Sequence, residues 1–342
     1  MKRIGNLYER IISMENLRLA DERAREGKAN TYGVKMHDRN REKNLEALHE
    51  ALLTRTYKTS EYYIFTVHEP KERVIYRLPY YPDRIVHHAI MNVLEPIWVK
   101  TFTYNTYSCV KGRGIEGCAR RVEKLIKKYE GRPLYCLKID IRKFYPSLKH
   151  PVLKRVVRRK IKDKDLLWLL DEIIDSTAGL PIGNYLSQFL ANLSLCYLMH
   201  KVNEEMKLDS AEYADDIIFL ADSKDRLREA FFGEIKPYIE NELELEVKDN
   251  WQIFPIADNR YDKHGRALDY VGYKFYRHQK LIRKSIKANF RKAVAKLNRL
   301  AGMSVKDYKQ NVAPWLGWAQ HSDSRHLLNK LIPKDYAGIL QQ

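Results

Sequence analysis

The tetrapeptide Tyr213-Ala214-Asp215-Asp216 places two adjacent carboxylates at the predicted tip of a β-hairpin. Residues 217–220 are all apolar and predict a buried strand directly after them. Asp is common in turns, so the tetrapeptide alone is equally consistent with an ordinary hairpin turn. Burying acids without a partner is costly, however, and the buried strand therefore favours a site at which a cation balances the two charges.

A third carboxylate, Asp140, follows an apolar strand over residues 134–139. Carboxylates on separate strands can converge on two Mg²⁺ ions, about 3.5–4 Å apart, that clamp the attacking and leaving oxygens in nucleotidyl transfer. We predict Asp140 and Asp215 as ligands of two Mg²⁺ ions, with Mn²⁺ as a substitute and the main-chain carbonyl of Ile141 as a further ligand. Asp216 is expected to adjust the charge of this cluster rather than to bind metal directly.

The charge of the chain indicates a polyanionic partner. Its 342 residues carry a formal net charge of +18, and residues 277–342 contain 14 Lys and Arg against 3 Asp and Glu. Such charge favours nucleic acid, although a merely basic soluble protein has the same composition. The four cysteines form no CxxC pair, which argues against a zinc site or a disulfide framework. Without a signal peptide or a long apolar run, the sequence predicts a cytoplasmic protein with no membrane segment.

Several residues near the carboxylates are candidate nucleotide contacts. Tyr145, five residues after Asp140, could lie under the incoming sugar and exclude a 2′-hydroxyl, whereas Phe144 is predicted to be a core residue. Lys71, Arg73 and Arg77 lie on a predicted basic hairpin and could bind triphosphate oxygens, the alternative being a solvated basic face. Lys248, at the end of a predicted strand over residues 243–248, could protonate the leaving pyrophosphate, the alternative being an exposed lysine.

Helical patterns surround these segments. Asp83 is a candidate N-cap for a helix that ends near Trp98. Residues 285–300 form an amphipathic helix in a basic C-terminal bundle, and Lys287, Arg291 and Lys296 are its candidate phosphate contacts. Arg113, in a Gly-rich turn before another helix, is a further candidate for nucleic-acid binding.

These pieces, in this order, resemble reverse transcriptases. Residues 137–148 are similar to the first palm block, 213–216 match the YxDD box, 268–275 resemble the primer grip, and 79–96 resemble the fingers block of group II intron-type enzymes. The resemblance implies an α+β right-hand polymerase that copies an RNA template with dNTPs into cDNA and holds an RNA–DNA hybrid. It also implies a nucleic-acid contact by Tyr273. The implied domains are an N-terminal helical extension (1–58), fingers (59–134), palm (135–150 and 180–276, with a helical insertion at 151–179) and a three-helix thumb (277–342).

Residues 180–188 narrow the resemblance. Ile182 occupies the position where most reverse transcriptases have Gln, and with Gly183, Ser187 and Gln188 it forms the pattern IGxxxSQ. This pattern is similar to that of reverse transcriptases of diversity-generating retroelements, which copy a template-repeat RNA with errors opposite adenine and act with an oligomeric accessory variability protein. A defence-type reverse transcriptase, a group II intron maturase and a non-catalytic RNA-binding scaffold remain the alternatives.

Overall fold

The computed structural model describes residues 3–68, 72–299, 303–333 and 336. These residues form two compact units. The first unit comprises Met1–Lys111, Asp140–Lys207 and Ala230–Asn250, and the second comprises Gly112–Ile139, Leu208–Glu229 and Trp251–Gln342. Each unit therefore contains three separate stretches of the chain.

Helices and strands alternate irregularly along the chain. The helices are α1 (Tyr8–Ile12), α2 (Met14–Ala24), α3 (Tyr32–Asp38), α4 (Arg41–Leu53), α5 (Ile85–Thr101), α6 (Gly114–Lys128), α7 (Phe144–Ser147), α8 (His150–Lys160), α9 (Lys164–Asp175), α10 (Tyr185–His200), α11 (Lys224–Ala230), α12 (Lys284–Leu297), α13 (Val305–Gln320) and α14 (His326–Leu331). The strands are β1 (Tyr63–Val67), β2 (Arg73–Arg77), β3 (Tyr135–Asp140), β4 (Asp209–Tyr213), β5 (Asp216–Ala221), β6 (Gln252–Pro255), β7 (Leu268–Tyr270), β8 (Tyr273–Phe275) and β9 (Lys280–Ile282).

Helices α5 and α10 form the centre of the first unit. Both are apolar on most of their surface, and α5 packs against α2 and α10. The predicted helix at 83–98 is confirmed, but Asp83 is not its N-cap. Asp83 is buried and accepts hydrogen bonds from Tyr57 Oη (2.8 Å) and the Ser60 N–H (3.0 Å), because a π-helical turn over Tyr80–Arg84 precedes α5. Its carboxylate therefore joins the residues before β1 to the start of α5.

The first unit also contains the predicted basic hairpin. Strands β1 and β2 pair antiparallel, from Tyr63 opposite Arg77 to Val67 opposite Arg73. Every residue of β1 is exposed, so the hairpin projects from the helices. Lys71 lies outside the described residues.

The predicted strand at 243–248 is wrong. Leu243, Leu245 and Val247 are buried and alternate with exposed glutamates, which is the pattern of a strand. Only Val247 forms a β-bridge, with Ile141. The backbone N–H groups of Leu243 and Leu245 instead donate back to the preceding helical turn, at Tyr238 and Ile239. The alternation thus reflects packing of an extended segment and not a continuous ladder.

Two sheets and a helical bundle form the second unit. The larger sheet has the strand order β4-β5-β3-β6, and the smaller has the order β7-β8-β9. Helix α6 packs against β4. Helices α12, α13 and α14 share an apolar cluster that includes Phe290, Val294, Tyr308, Val312 and Leu327, as the predicted three-helix bundle requires. Leu300, the predicted end of its first helix, lies outside the described residues.

Candidate active site

The tetrapeptide at 213–216 forms a tight hairpin, as predicted. Strands β4 and β5 pair from Asp209 opposite Leu220 to Tyr213 opposite Asp216, which leaves a two-residue turn of Ala214 and Asp215. Ala214 has a positive φ of 55°, a conformation typical of two-residue hairpin turns. Because residues 217–221 of β5 are fully buried, the strand fixes this turn against a rigid base.

Asp216 is held in an ion pair inside the second unit. Lys138 Nζ, on β3, lies 3.2 Å from the Asp216 carboxylate. The same ammonium donates to the main-chain carbonyl of Asp269 (2.7 Å) and lies 5.6 Å from the centre of the Tyr270 ring. The Tyr270 hydroxyl lies 3.0 Å from the main-chain carbonyl oxygens of Asp216 and Ala211. Burial raises the pKa of Tyr270 well above its usual value, so its hydroxyl keeps the proton that it donates.

Asp140 has a lysine partner in the first unit. Lys248 Nζ forms an ion pair with Asp140 Oδ1, and the Lys248 N–H donates to the Asp140 carbonyl (2.9 Å). The Arg142 N–H donates to the Glu246 carbonyl (2.8 Å). These two backbone bonds flank Ile141 without using its carbonyl oxygen as the acceptor. Lys248 is therefore positioned beside a candidate catalytic carboxylate, which the interpretation as a merely exposed lysine did not anticipate.

Residues 144–147 form the short helix α7, and its Phe144 is a core residue as predicted. Phe144 is buried, whereas Tyr145 is half-buried. The Leu180 N–H donates to the Tyr145 carbonyl (2.9 Å), so the loop before α10 lies against this helix. The predicted contact of Tyr145 with the incoming sugar stays a prediction.

Ile182 and Gly183 contact the basic hairpin. The Tyr76 N–H donates to the Ile182 carbonyl (2.9 Å). Gly183 has φ +122°, and a Cβ at this position would lie 2.8 Å from the Tyr76 carbonyl oxygen, so only glycine allows this approach. The backbone of the IGxxxSQ segment thereby supports the strand that carries Arg73 and Arg77. Gln188 is half-buried on α10.

The candidate nucleic-acid contacts of the second unit differ in exposure. On α12, Arg291 and Lys296 are exposed and Lys287 is half-buried, whereas Phe290, Val294 and Leu297 are buried. Arg113 is half-buried at the start of α6. Tyr273 is only 3% exposed, with its ring centre 4.9 Å from that of Trp318. The expectation that the Tyr273 ring contacts nucleic acid is therefore corrected, because the ring packs inside the unit.

Sequence reasoning missed Lys138 and Arg283. Arg283 pairs with the Asp269 carboxylate at 2.6 Å, while Lys138 binds the carbonyl of the same residue. The available signal was a lysine that interrupts an apolar strand two residues before Asp140. A charged side chain at such a position generally has a specific partner.

Carboxylate and carbonyl oxygens are the donors that Mg²⁺ takes in proteins, so the oxygen donors of Asp140, Asp215 and Ile141 fit such an ion chemically. Within the described ranges, no group of three or more His, Cys, Asp and Glu side chains is arranged to hold a metal ion.

In that same part of the chain, no helix has the length and apolarity needed to cross a membrane.

Comparison with known proteins gives one family match. The model of the family described as "Reverse transcriptase (RNA-dependent DNA polymerase)" matches residues 68–248. Protein YkfC of Escherichia coli (strain K12) is 28% identical over 130 residues, which cover 34% of this chain and 34% of YkfC. The match thus spans about a third of this curated relative.

Among the solved structures that are similar to this chain, two are telomerases with low sequence identity to it. Apo telomerase from Candida tropicalis, truncated from the C-terminal domain, is 12% identical with a TM-score of 0.48. The matched region covers 64% of this chain and 53% of the telomerase chain. Telomerase from the same organism in complex with the TWJ fragment of telomeric RNA is 12% identical with a TM-score of 0.49. The matched region covers 86% of this chain and 60% of the telomerase chain.

Proposed function

The chain belongs to the reverse transcriptase family, and we propose that it synthesises DNA on an RNA template. Its mixed helix and sheet structure agrees with the right-hand polymerase fold of that family. The observation that carries the proposal is the two-residue turn that presents Asp215 at the end of a buried hairpin, with Asp216 held beside it by Lys138. The assignment of fingers, palm and thumb to residue ranges stays a prediction.

We assign the following roles at the proposed site. Asp140, Asp215 and the Ile141 carbonyl hold divalent ions, proposed to be two Mg²⁺, which when bound neutralise the triphosphate and activate the primer hydroxyl. Arg73 and Arg77 bind triphosphate oxygens through their guanidinium forks. Tyr145 excludes the 2′-hydroxyl of a ribonucleotide. Lys248 balances the Asp140 carboxylate and is the candidate proton donor to pyrophosphate.

Primer extension tests the proposed polymerase activity. Purified chain is incubated with a primed RNA template, dNTPs and Mg²⁺, and the products are sized and sequenced. We expect cDNA that depends on template and divalent metal and that is abolished by chelation. An extension product that forms equally well without the RNA template would contradict templated synthesis and favour a defence-type enzyme.

Binding of the RNA–DNA hybrid should depend on the basic residues of α12. Replacing Lys287, Arg291 and Lys296 together by Gln should weaken hybrid binding at low salt and reduce the slope of log K against log [salt] by about two to three units, because each phosphate contact contributes about 0.9. Fluorescence anisotropy over a salt series measures this slope. The matched control replaces Lys35, Arg39 and Lys43, which are exposed in the first unit, by Gln. Equal slopes in the two triple variants would exclude α12 as a specific phosphate contact.

We further propose that the enzyme is that of a diversity-generating retroelement, which copies a template-repeat RNA with errors opposite adenine. The support is Ile182 at the position where a Gln amide would otherwise reach the nascent base pair. Its carbonyl is bonded to Tyr76 on the strand that carries Arg73 and Arg77, so this side chain belongs to a segment that supports the proposed nucleotide contacts. An isoleucine holds a base pair by packing alone, which discriminates less well than hydrogen bonding.

Replacing Ile182 by Gln should therefore lower misincorporation opposite adenine. The hydrogen bond that the Gln amide gains contributes about 1–2 kcal/mol of discrimination between correct and incorrect nucleotides. We therefore expect roughly a 5–30-fold fall in the adenine error frequency. Sequencing of cDNA from a template that contains all four bases measures it, and errors at the other bases serve as the internal control. An unchanged adenine error frequency would remove Ile182 from the explanation.

The retroelement assignment implies a partner. An oligomeric accessory variability protein would bind the enzyme, and because both proteins are basic, RNA or acidic surface would mediate the contact. Adding that protein to the primer-extension reaction is expected to increase cDNA synthesis on a template-repeat RNA. Accurate cDNA with no response to a partner would keep the reverse transcriptase and reject the retroelement assignment.

A further inference from the structure

Lys138 occupies an unusual place in β3. The strand is otherwise apolar between Tyr135 and Ile139, and its Cys136, Leu137 and Ile139 are buried. The Lys138 side chain is 27% exposed and the Asp216 carboxylate 28%. Because both groups are largely removed from water, their attraction is stronger than that of an exposed ion pair. Removing one of the two charges would leave the other unpaired in a poorly solvated position, which is costly.

The contacts of Lys138 fix Asp216 from two sides. Its ammonium binds the Asp216 carboxylate at 3.2 Å and the Asp269 carbonyl at 2.7 Å. The Tyr270 hydroxyl approaches the Asp216 carbonyl at 3.0 Å, and Lys138 lies over the Tyr270 ring. Arg283 in turn holds the Asp269 carboxylate at 2.6 Å. The side chain of Asp216 is thus connected to β7 through Lys138, and its main chain is connected to β7 through the Tyr270 hydroxyl.

We propose that Lys138 is a positioning residue that acts as a built-in counter-cation for Asp216 and keeps that carboxylate from binding metal. Two adjacent aspartates at one turn would otherwise compete for the same divalent ion. Lys138 is itself held by the Asp269 carbonyl and the Tyr270 ring, so it stays with Asp216, which holds the hairpin against β7. The Lys248 ammonium, which pairs with Asp140, lacks these two additional contacts and can leave Asp140 when an ion binds. The inference deepens the proposed polymerase site and rests on it for its biological meaning, but its test does not require catalysis.

Direct metal binding tests the proposal. Mn²⁺ is titrated into the full chain without nucleic acid or nucleotide, and free Mn²⁺ is measured by electron paramagnetic resonance. Replacing Lys138 by Met should tighten Mn²⁺ binding roughly tenfold, because a positive charge is lost and Asp216 becomes available as a ligand. The control Lys124→Met removes the same charge from an exposed position on α6 of the same unit and should change the affinity less than twofold.

The double variant Lys138→Met with Asp216→Asn provides the decisive comparison. It has the same net charge at this pair as the wild type, and it leaves no unpaired carboxylate that could prevent folding. Mn²⁺ affinity within about threefold of wild type is expected if Asp216 is not a ligand. A fall of tenfold or more would make Asp216 a metal ligand and overturn the proposal, and so would an unchanged affinity in Lys138→Met.

A conservative variant separates charge from packing. Lys138→Arg keeps the positive charge and should retain the wild-type Mn²⁺ affinity. If Lys138 had a purely structural role, Lys138→Arg and Lys138→Met would lose thermal stability equally, and neither variant would change the Mn²⁺ affinity. Primer extension is measured in parallel. Absence of extension by the wild type would reject the proposed function alone, since the Mn²⁺ comparison among the variants would still stand.

Discussion

Asp215→Asn is expected to lower the single-turnover rate of primer extension by at least about 10³-fold. Asn has nearly the same shape but no charge, and a divalent ion that stabilises the transition state by several kcal/mol is held much less well by it. Asp215 lies in the hairpin turn and not within a strand, so the substitution should leave the thermal unfolding temperature nearly unchanged. Rapid-quench primer extension at saturating Mg²⁺ measures the rate.

The matched control is Asp225→Asn, an isosteric change at an exposed position of α11 in the same unit. This variant should extend primers at the wild-type rate. Hybrid affinity is measured for both proteins, because the scaffold alternative predicts loss of binding while the polymerase proposal predicts loss of turnover alone. An Asp215→Asn protein that extends primers within tenfold of wild type would contradict the assignment of this carboxylate.

Gly179→Ala should lower the free energy of unfolding of the chain by about 3 kcal/mol or more. Gly179 has φ +70°, and a Cβ there would lie 2.3 Å from the carbonyl oxygen of Pro146. A left-handed conformation costs a non-glycine residue about 1–3 kcal/mol, and the overlap with backbone adds a comparable amount because neither segment can yield by a side-chain rotation. Differential scanning calorimetry should show a fall of roughly 4 °C or more in Tm.

Gly233→Ala is the control for this effect. Nothing lies within 4 Å of a Cβ at Gly233, which is in a π-helical turn, so alanine there should be neutral or stabilising. Gly179→Ala should also lower primer extension, since it displaces the loop that bonds to Tyr145. A Tm equal to that of wild type would show that the loop and α7 separate without cost.

Much of the secondary structure follows from local patterns. The apolar positions of residues 85–94 repeat at helical spacing, and the structure has a helix there because that face packs against α2 and α10. The same kind of reasoning failed at 243–248, where strict alternation is present but the ladder is not. Alternation reports which side chains are buried, whereas a strand also needs a partner backbone at the right distance.

Local patterns specify the hairpin that carries Asp215 and Asp216, the apolar strand that ends at Asp140, and the amphipathic basic helix α12, because each depends on residues close together in the chain. Folding at longer range sets the pairing of Lys138 with Asp216, the pairing of Lys248 with Asp140 and the packing of Tyr273 against Trp318. The physical reason is that a buried charge or ring takes the partner that packing brings to it. That partner lies between 45 and 108 residues away here, beyond the range of any local pattern.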